Sequence, residues 1–277
     1  MAAIGMAVVA LLAVTAHAAE ADRLADIQRR GYIEVATAPG FAPYEFIDPS
    51  KSGAEENDKY VGSDMALARY IADKLGVKLR IVPLEFGAML AGVTEGKYDL
   101  ALGALVYTPA RAEAMTLSHG YFFSKVTARH GLLVRASDLT TIKGPEDCAG
   151  KVVVAQSGSL QELLATLQIP KFKEFKRVSS VNDAFLMVQE KKADVCVTNR
   201  ATAELYIKAN KDCGLAMVPD FQFDVPEETL GTRAGMPKKD SAALEAKVNE
   251  IIDEVVASGL YEKWYEEYSE YAAKLGL

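Results

Sequence analysis

Residues 96–111 read Gly-Lys-Tyr-Asp-Leu-Ala-Leu-Gly-Ala-Leu-Val-Tyr-Thr-Pro-Ala-Arg, a strand that runs straight into a helix start carrying one arginine. Asp99 to Val106 is apolar and of strand length. Thr108 is a good N-cap, and Pro109 stands where a first-turn proline is tolerated, because its missing N–H would lack an intrahelical acceptor anyway. Arg111 then falls in the first turn, beside free backbone N–H groups and the positive end of the helix dipole. A cation there works against the helix unless an anion joins it. A carboxylate held by the guanidinium fork and the helix N–H groups resolves that conflict. The alternative is a solvent-facing arginine that costs the helix roughly a few tenths of a kcal/mol.

Outward from this stretch, strands and helices alternate. Tyr32 to Ala36 reads as a strand, and Ser63 to Leu75 as a helix with Leu67, Ile71 and Leu75 on one face, stopped by Gly76. Leu79 to Val82 is a strand, Phe86 to Thr94 a helix, and Pro109 to Met115 begins another helix. Repeated strand–helix units predict a sheet of parallel strands covered by helices. A second cycle starts near residue 124. It has strands at Thr127–Val134, Lys151–Gln156, Phe175–Val178 and Asp194–Thr198, with helices at Gln161–Leu167, Val181–Glu190 and Ala201–Lys208. Leu215 to Val218 is extended, Thr229 to Gly235 is one more strand, and the chain ends in helices at Ser241–Ser258 and Leu260–Leu275. Tyr261, Trp264, Tyr265 and Tyr268 recur at helical spacing and are assigned to core packing. Two α/β halves joined by extended segments near 123 and 234 predict two lobes with a cleft between them.

The second half repeats the opening device. Residues 151–162, Lys-Val-Val-Val-Ala-Gln-Ser-Gly-Ser-Leu-Gln-Glu, give a buried strand, a glycine turn and a helix start. Ser159 and Glu162 fit a capping box, which by itself also accounts for the serine. If the two helix starts face each other, a carboxylate between them draws donors from both lobes, and binding pulls the lobes together.

Residues 1–18 are different material. Ile4 to Val14 is a short uncharged apolar run, too short to span a bilayer, and Ala16-His17-Ala18 is a small-x-small site. A secretory leader cleaved after Ala18 is expected, and with it an exported, soluble mature protein. The 277 residues carry a net charge of −7 and no basic stripe, so a nucleic-acid partner is not expected. Cys196 reads as a buried small apolar residue. Cys148 and Cys213 each precede a strand; export permits a disulfide between them, and two unpaired thiols are the equal alternative. No spacing suggests a metal site, and no cofactor is expected.

Seven segments, in order, resemble the bacterial extracellular solute-binding proteins for polar amino acids that serve ABC transporters. They are Phe41–Phe46 (Phe-Ala-Pro-Tyr-Glu-Phe), Tyr60–Asp64, Gly96–Asp99, Thr108–Arg111, Gln156–Glu162, Ala193–Asn199 and Ser258–Trp264. The resemblance implies an α/β, two-lobe periplasmic-binding-protein-like (type II) fold with a ligand cleft between the lobes. The first lobe takes residues 19–123 and 235–277, and the second takes 124–234. It implies that Arg111 grips a ligand carboxylate and that Ala104 and Val106 offer backbone C=O and N–H groups. Ser159 and Leu160 close on the same carboxylate from the second lobe. Phe41 and Phe86 pack on the ligand side chain, while Tyr44 is either a wall or a core residue. Asn199 stands where much of this family has an acid that pairs with the ligand ammonium, and Ala38 replaces a second frequent acid. Without those acids a lysine-like or arginine-like ligand is disfavoured, because a buried unpaired charge is costly. The alternative for Asn199 is a cap after a strand.

The leading expectation is therefore a binding protein without chemistry of its own. It would capture a neutral or polar amino acid outside the cytoplasm and deliver it, as a monomer, to an ABC-transporter permease. An enzyme of the cyclohexadienyl dehydratase kind on the same scaffold needs a proton donor in the cleft. His119 and His130 are read as structural, and Glu162 as a cap. A sensor module is the third class, and no residue speaks for it.

Overall fold

The computed structural model describes residues 22–53, 55–124 and 129–277. The leader and the start of the strand expected from Thr127 fall outside the described residues.

The first half runs α1 (Arg23–Arg30), β1 (Tyr32–Thr37), β2 (Phe46–Ile47), β3 (Tyr60–Val61), α2 (Ser63–Leu75), β4 (Lys78–Pro83) and α3 (Phe86–Thr94). It continues with β5 (Leu100–Val106), α4 (Pro109–Ala114) and β6 (Thr116–Leu117). The second half holds β7 (His130–Arg135), β8 (Val152–Gln156), α5 (Leu160–Gln168), β9 (Glu174–Val178) and α6 (Val181–Gln189). Next come β10 (Val195–Asn199), α7 (Arg200–Ala209) and β11 (Leu215–Met217); the chain then returns through β12 (Thr232–Met236) to α8 (Ala242–Ala257) and α9 (Leu260–Leu275).

Two five-stranded sheets result, in the orders β4-β1-β5-β12-β6 and β11-β7-β10-β8-β9. They are mixed rather than wholly parallel, which corrects the sequence expectation. β1 pairs in parallel with β4 and β5, and β8 with β9 and β10. β12 runs antiparallel to β5 and β6, and β7 antiparallel to β10 and β11. The helix-linked repeats gave the parallel pairs. β7 and β12 enter their sheets from the crossings between halves, where the described residues hold no helical crossover to impose a parallel direction.

Each sheet is buried on both faces, so its strands are apolar throughout rather than alternating. Leu100 and Leu102 of β5 join the cluster under α2 and α8 (Leu67, Ile71, Leu244, Val248), while Ala101 and Leu105 meet Phe86, Met89 and Val93 of α3. In the second sheet Val153, Val195 and Val197 face α5, and Val154 and Cys196 face Phe185 of α6. The three cysteines are free and buried. Cys148 packs with the first of these faces and Cys213 with the other, so the sheet lies between the two thiols once considered for a disulfide. Asp99, from the opening stretch, is 1 % exposed; it accepts from Arg23, Arg30 and the Glu34 N–H, tying α1 to β1 and β5.

The crossings between the sheets lie side by side. The Tyr121 N–H donates to the Thr232 carbonyl at 2.8 Å, and the Thr232 N–H to the Phe122 carbonyl at 3.1 Å. Among the described residues no helix is long and apolar enough to cross a membrane.

Candidate functional site

The helix start at Thr108 forms as its residue types dictate: the threonine hydroxyl accepts the Arg111 N–H at 3.2 Å, with Pro109 opening α4. The Arg111 side chain does not reach solvent. It is 7 % exposed and lies over the Phe86 ring, 5.5 Å from its centroid. It donates through Nη1 to the Val106 carbonyl at 2.9 Å and through Nη2 to the Gly158 carbonyl at 3.0 Å. The second bond crosses from one half of the molecule to the other. Among the described residues no carboxylate pairs with this guanidinium, and burial lowers its pKa to about 10. A desolvated cation held by neutral carbonyls is an electrostatic deficit that an anion would remove.

Opposite it, β8 ends in the turn Gln156–Gly158, where Gly158 takes φ 74° in the left-handed region open to glycine. Ser159 caps α5, accepting the Glu162 N–H at 3.1 Å. The Glu162 carboxylate reaches back one residue further than a standard capping box, to the Gly158 N–H at 2.7 Å, and is braced by Arg177. The first-turn N–H groups of Leu160 and Gln161 have no intrahelical acceptor, and both residues line the cavity.

These two helix starts border one cavity of about 80 Å³. That is room for about five to eight waters, or one small organic molecule. All eight residues selected from sequence lie on its wall: Phe41, Phe86, Ala104, Val106, Arg111, Ser159, Leu160 and Asn199. Ala38 joins them, and Tyr44 is both wall and core, stacked on Phe41 with centroids 5.3 Å apart. Asn199 is indeed a cap: its Oδ1 accepts the Thr202 N–H at 3.2 Å at the start of α7. The amide oxygen that stands in place of the family's ammonium-pairing acid is thus already engaged once. Val106 likewise spends its carbonyl on Arg111.

Sequence reasoning missed two titratable wall residues. Glu45 is 1 % exposed, its Oε2 has no hydrogen-bond partner, and burial together with the nearby Asp64 raises its pKa well above the usual carboxyl range. An acid set among Phe41, Tyr44 and Phe46 was the available signal, since carboxyls so placed are rarely buried without a purpose. His130, read as structural, also lines the cavity, directly across the β7–β10 pair from Asn199. Its Nδ1 has no partner, and burial lowers its pKa to about 4, so it is neutral at pH 7. His119 stands apart, on the surface beside Asp253. Among the described residues no group of three His, Cys, Asp or Glu side chains is placed to hold a metal ion.

Comparison with known proteins matches this geometry. The arginine-binding extracellular protein ArtP of Bacillus subtilis is 27 % identical over 235 residues, 83 % of this chain and 84 % of that protein. The crystal structure of the amino-acid ABC transporter substrate-binding protein AbpA of Streptococcus pneumoniae, bound to L-arginine, superposes with a TM-score of 0.78. It is 29 % identical, and the match covers 90 % of this chain and 98 % of that one. Cyclohexadienyl dehydratase of Pseudomonas aeruginosa is 24 % identical over 268 residues, 96 % of this chain and 93 % of that enzyme. The family model of the bacterial extracellular solute-binding proteins, family 3, matches residues 33–271. With two α/β sheets, a cavity between their helix starts and this match over most of its length, the chain belongs to the bacterial extracellular solute-binding proteins, family 3.

Proposed function

We propose that the cavity binds an α-amino acid by its carboxylate, with Arg111 and the first-turn N–H groups of α5 as the anion site and with Leu160, Phe41 and Phe86 packed around the rest. The protein works outside the cytoplasm and delivers its ligand to the membrane permease of an ABC importer. The observation that carries the reading of the site is the buried guanidinium of Arg111, which spans both halves and has no anionic partner among the described residues. Charge-assisted hydrogen bonds in a closed cleft supply the affinity.

Glu45 supports a choice of side chain. It is the one carboxyl on the cavity wall among the described residues, enough for one ammonium. A second positive charge would find no counter-ion, so a neutral polar side chain such as an amide fits better than a guanidinium. AbpA is described with L-arginine, and the two choices separate cleanly by experiment. Calorimetry on refolded, ligand-stripped protein is expected to give heat with L-glutamine or L-asparagine and a weaker response with L-arginine. Silence across all amino acids would remove the carboxylate site. Turnover of prephenate or arogenate would instead move the chain to the dehydratase class, with Glu45 and His130 as its acid and base.

A further inference from the structure

A residue with a Cβ that sits in the left-handed region inside a strand needs something to hold it there, because its Cβ crowds the following carbonyl oxygen. Ala104 of β5 has φ 48°. Around it the pairing with β12 slips: Arg233 stands opposite Leu105, but Gly235 stands opposite Ala101. Leu102, Gly103 and Ala104 therefore face Ala234 alone. The slip brings Gly103 and Ala104 to the cavity wall.

The Ala104 N–H does not return to the ladder. It donates to Asp64 Oδ2 at 2.7 Å. Asp64 is fully buried in the first turn of α2, and its other oxygen accepts two phenol hydroxyls, Tyr121 at 3.0 Å and Tyr261 at 2.5 Å. The Tyr261 hydroxyl also lies 3.0 Å from Ser63 Oγ, and the two tyrosine rings pack with centroids 4.7 Å apart. None of Asp64, Tyr121 and Tyr261 touches the cavity. Three separate elements (α2, the first crossing and α9) thus converge on one carboxylate whose remaining oxygen holds one backbone N–H. A buried carboxylate is a costly way to satisfy a single amide unless the position of that amide matters.

We infer that Asp64, clamped by Tyr121 and Tyr261, is a positioning residue that keeps Ala104 in its left-handed conformation and so aims the β5 backbone at the ligand. The last step rests on the amino-acid reading of the cavity; the conformational step does not.

Two measurements test it separately. Solution NMR of the Ala104 Cα and Cβ shifts reads the backbone conformation of the ligand-free protein, and calorimetry with L-glutamine and L-arginine reads affinity. Asp64→Asn is expected to move the Ala104 shifts out of the left-handed range and weaken binding about tenfold; Tyr261→Phe is expected to move both in the same sense, weakening binding about threefold. Ala104→Gly alone is the reference for the double variant, because glycine adopts the conformation freely. Added to Asp64→Asn, it recovers at least about half of the lost binding free energy, whereas a merely structural aspartate would show no such rescue. If Asp64→Asn does not fold, Tyr261→Phe with and without Ala104→Gly decides by the same readouts. Unchanged Ala104 shifts, or glycine bringing no recovery, would overturn the inference. If neither amino acid binds the parent protein, the ligand reading fails while the NMR result still decides what Asp64 does.

Discussion

On the proposed reading of the site, Arg111 carries function at a local electrostatic disadvantage. Its guanidinium is buried, and that burial depresses its pKa to about 10. Arg111→Ala is therefore expected to abolish carboxylate binding while moving the melting temperature by no more than a few degrees; a large loss of stability would make it a structural residue. Two other buried groups set opposite pH dependences. Burial raises Asp64 from its ordinary 3.8 to about 6, so its stabilising contribution is present below pH 3.8 and lost as pH climbs to 6. Glu45, also raised, acts in the same direction. His130, pushed from 6.5 down to about 4, contributes above pH 6.5 and loses its contribution as pH falls through 4. The Asp64 and His130 swings are each on the order of 3 kcal/mol and oppose each other across nearly the same window. His130→Gln should leave a protein whose melting temperature falls more steeply than the parent's from pH 4 to 6. Asp64→Asn should tilt it the other way. Thermal scans at several pH values check both, and parallel curves for parent and variants would contradict them.

At the scale of elements, the caps connect fold to site. Ser159 holds the first turn of α5 and also donates to the Gln156 carbonyl at 2.7 Å, closing the turn that carries Gly158. Ser159→Ala is expected to cost about 1 kcal/mol in denaturant unfolding and to weaken ligand binding as well, since the same turn faces Arg111. The elements that form the site were legible because their signals are local. A threonine before a proline, a glycine turn before a serine and runs of strand-forming residues each act within a few positions. What escaped was set by contacts distant in sequence. The direction of β12 depends on a partner more than a hundred residues earlier, and the slip at Ala104 depends on Asp64 and α9. Glu45 and His130 escaped for the same reason. The neighbours of Glu45 in the chain signal its burial but not the unpaired state of its oxygen, and those of His130 signal neither, whereas Asn199 as a cap could be weighed because Thr202 is three residues away.

For the whole molecule, motion between the halves has to pass through the paired crossings. Gly231 has φ 87°, and a Cβ there would lie 2.4 Å from the Phe123 ring, which is itself largely exposed. Gly231→Ala is expected to destabilise the protein by about 1–2 kcal/mol from the backbone alone. Adding Phe123→Ala should relieve only the steric share; full recovery of the melting temperature would mean that the left-handed backbone carries no cost.

The same crossings divide the chain unequally in time. The second sheet is assembled from one uninterrupted segment, β7 to β11, whereas the first sheet lacks its interior strand β12 and the covering helices α8 and α9 until that segment has gone by. A chain threaded across a membrane from its amino end therefore delivers a half that can fold at once, inside a half that must wait for it. Until residues 232–275 emerge, β5 presents an unpaired edge and its apolar faces to whatever is nearby. Secretion itself, more than the finished protein, is the stage at which this architecture is most exposed to aggregation and to chaperones.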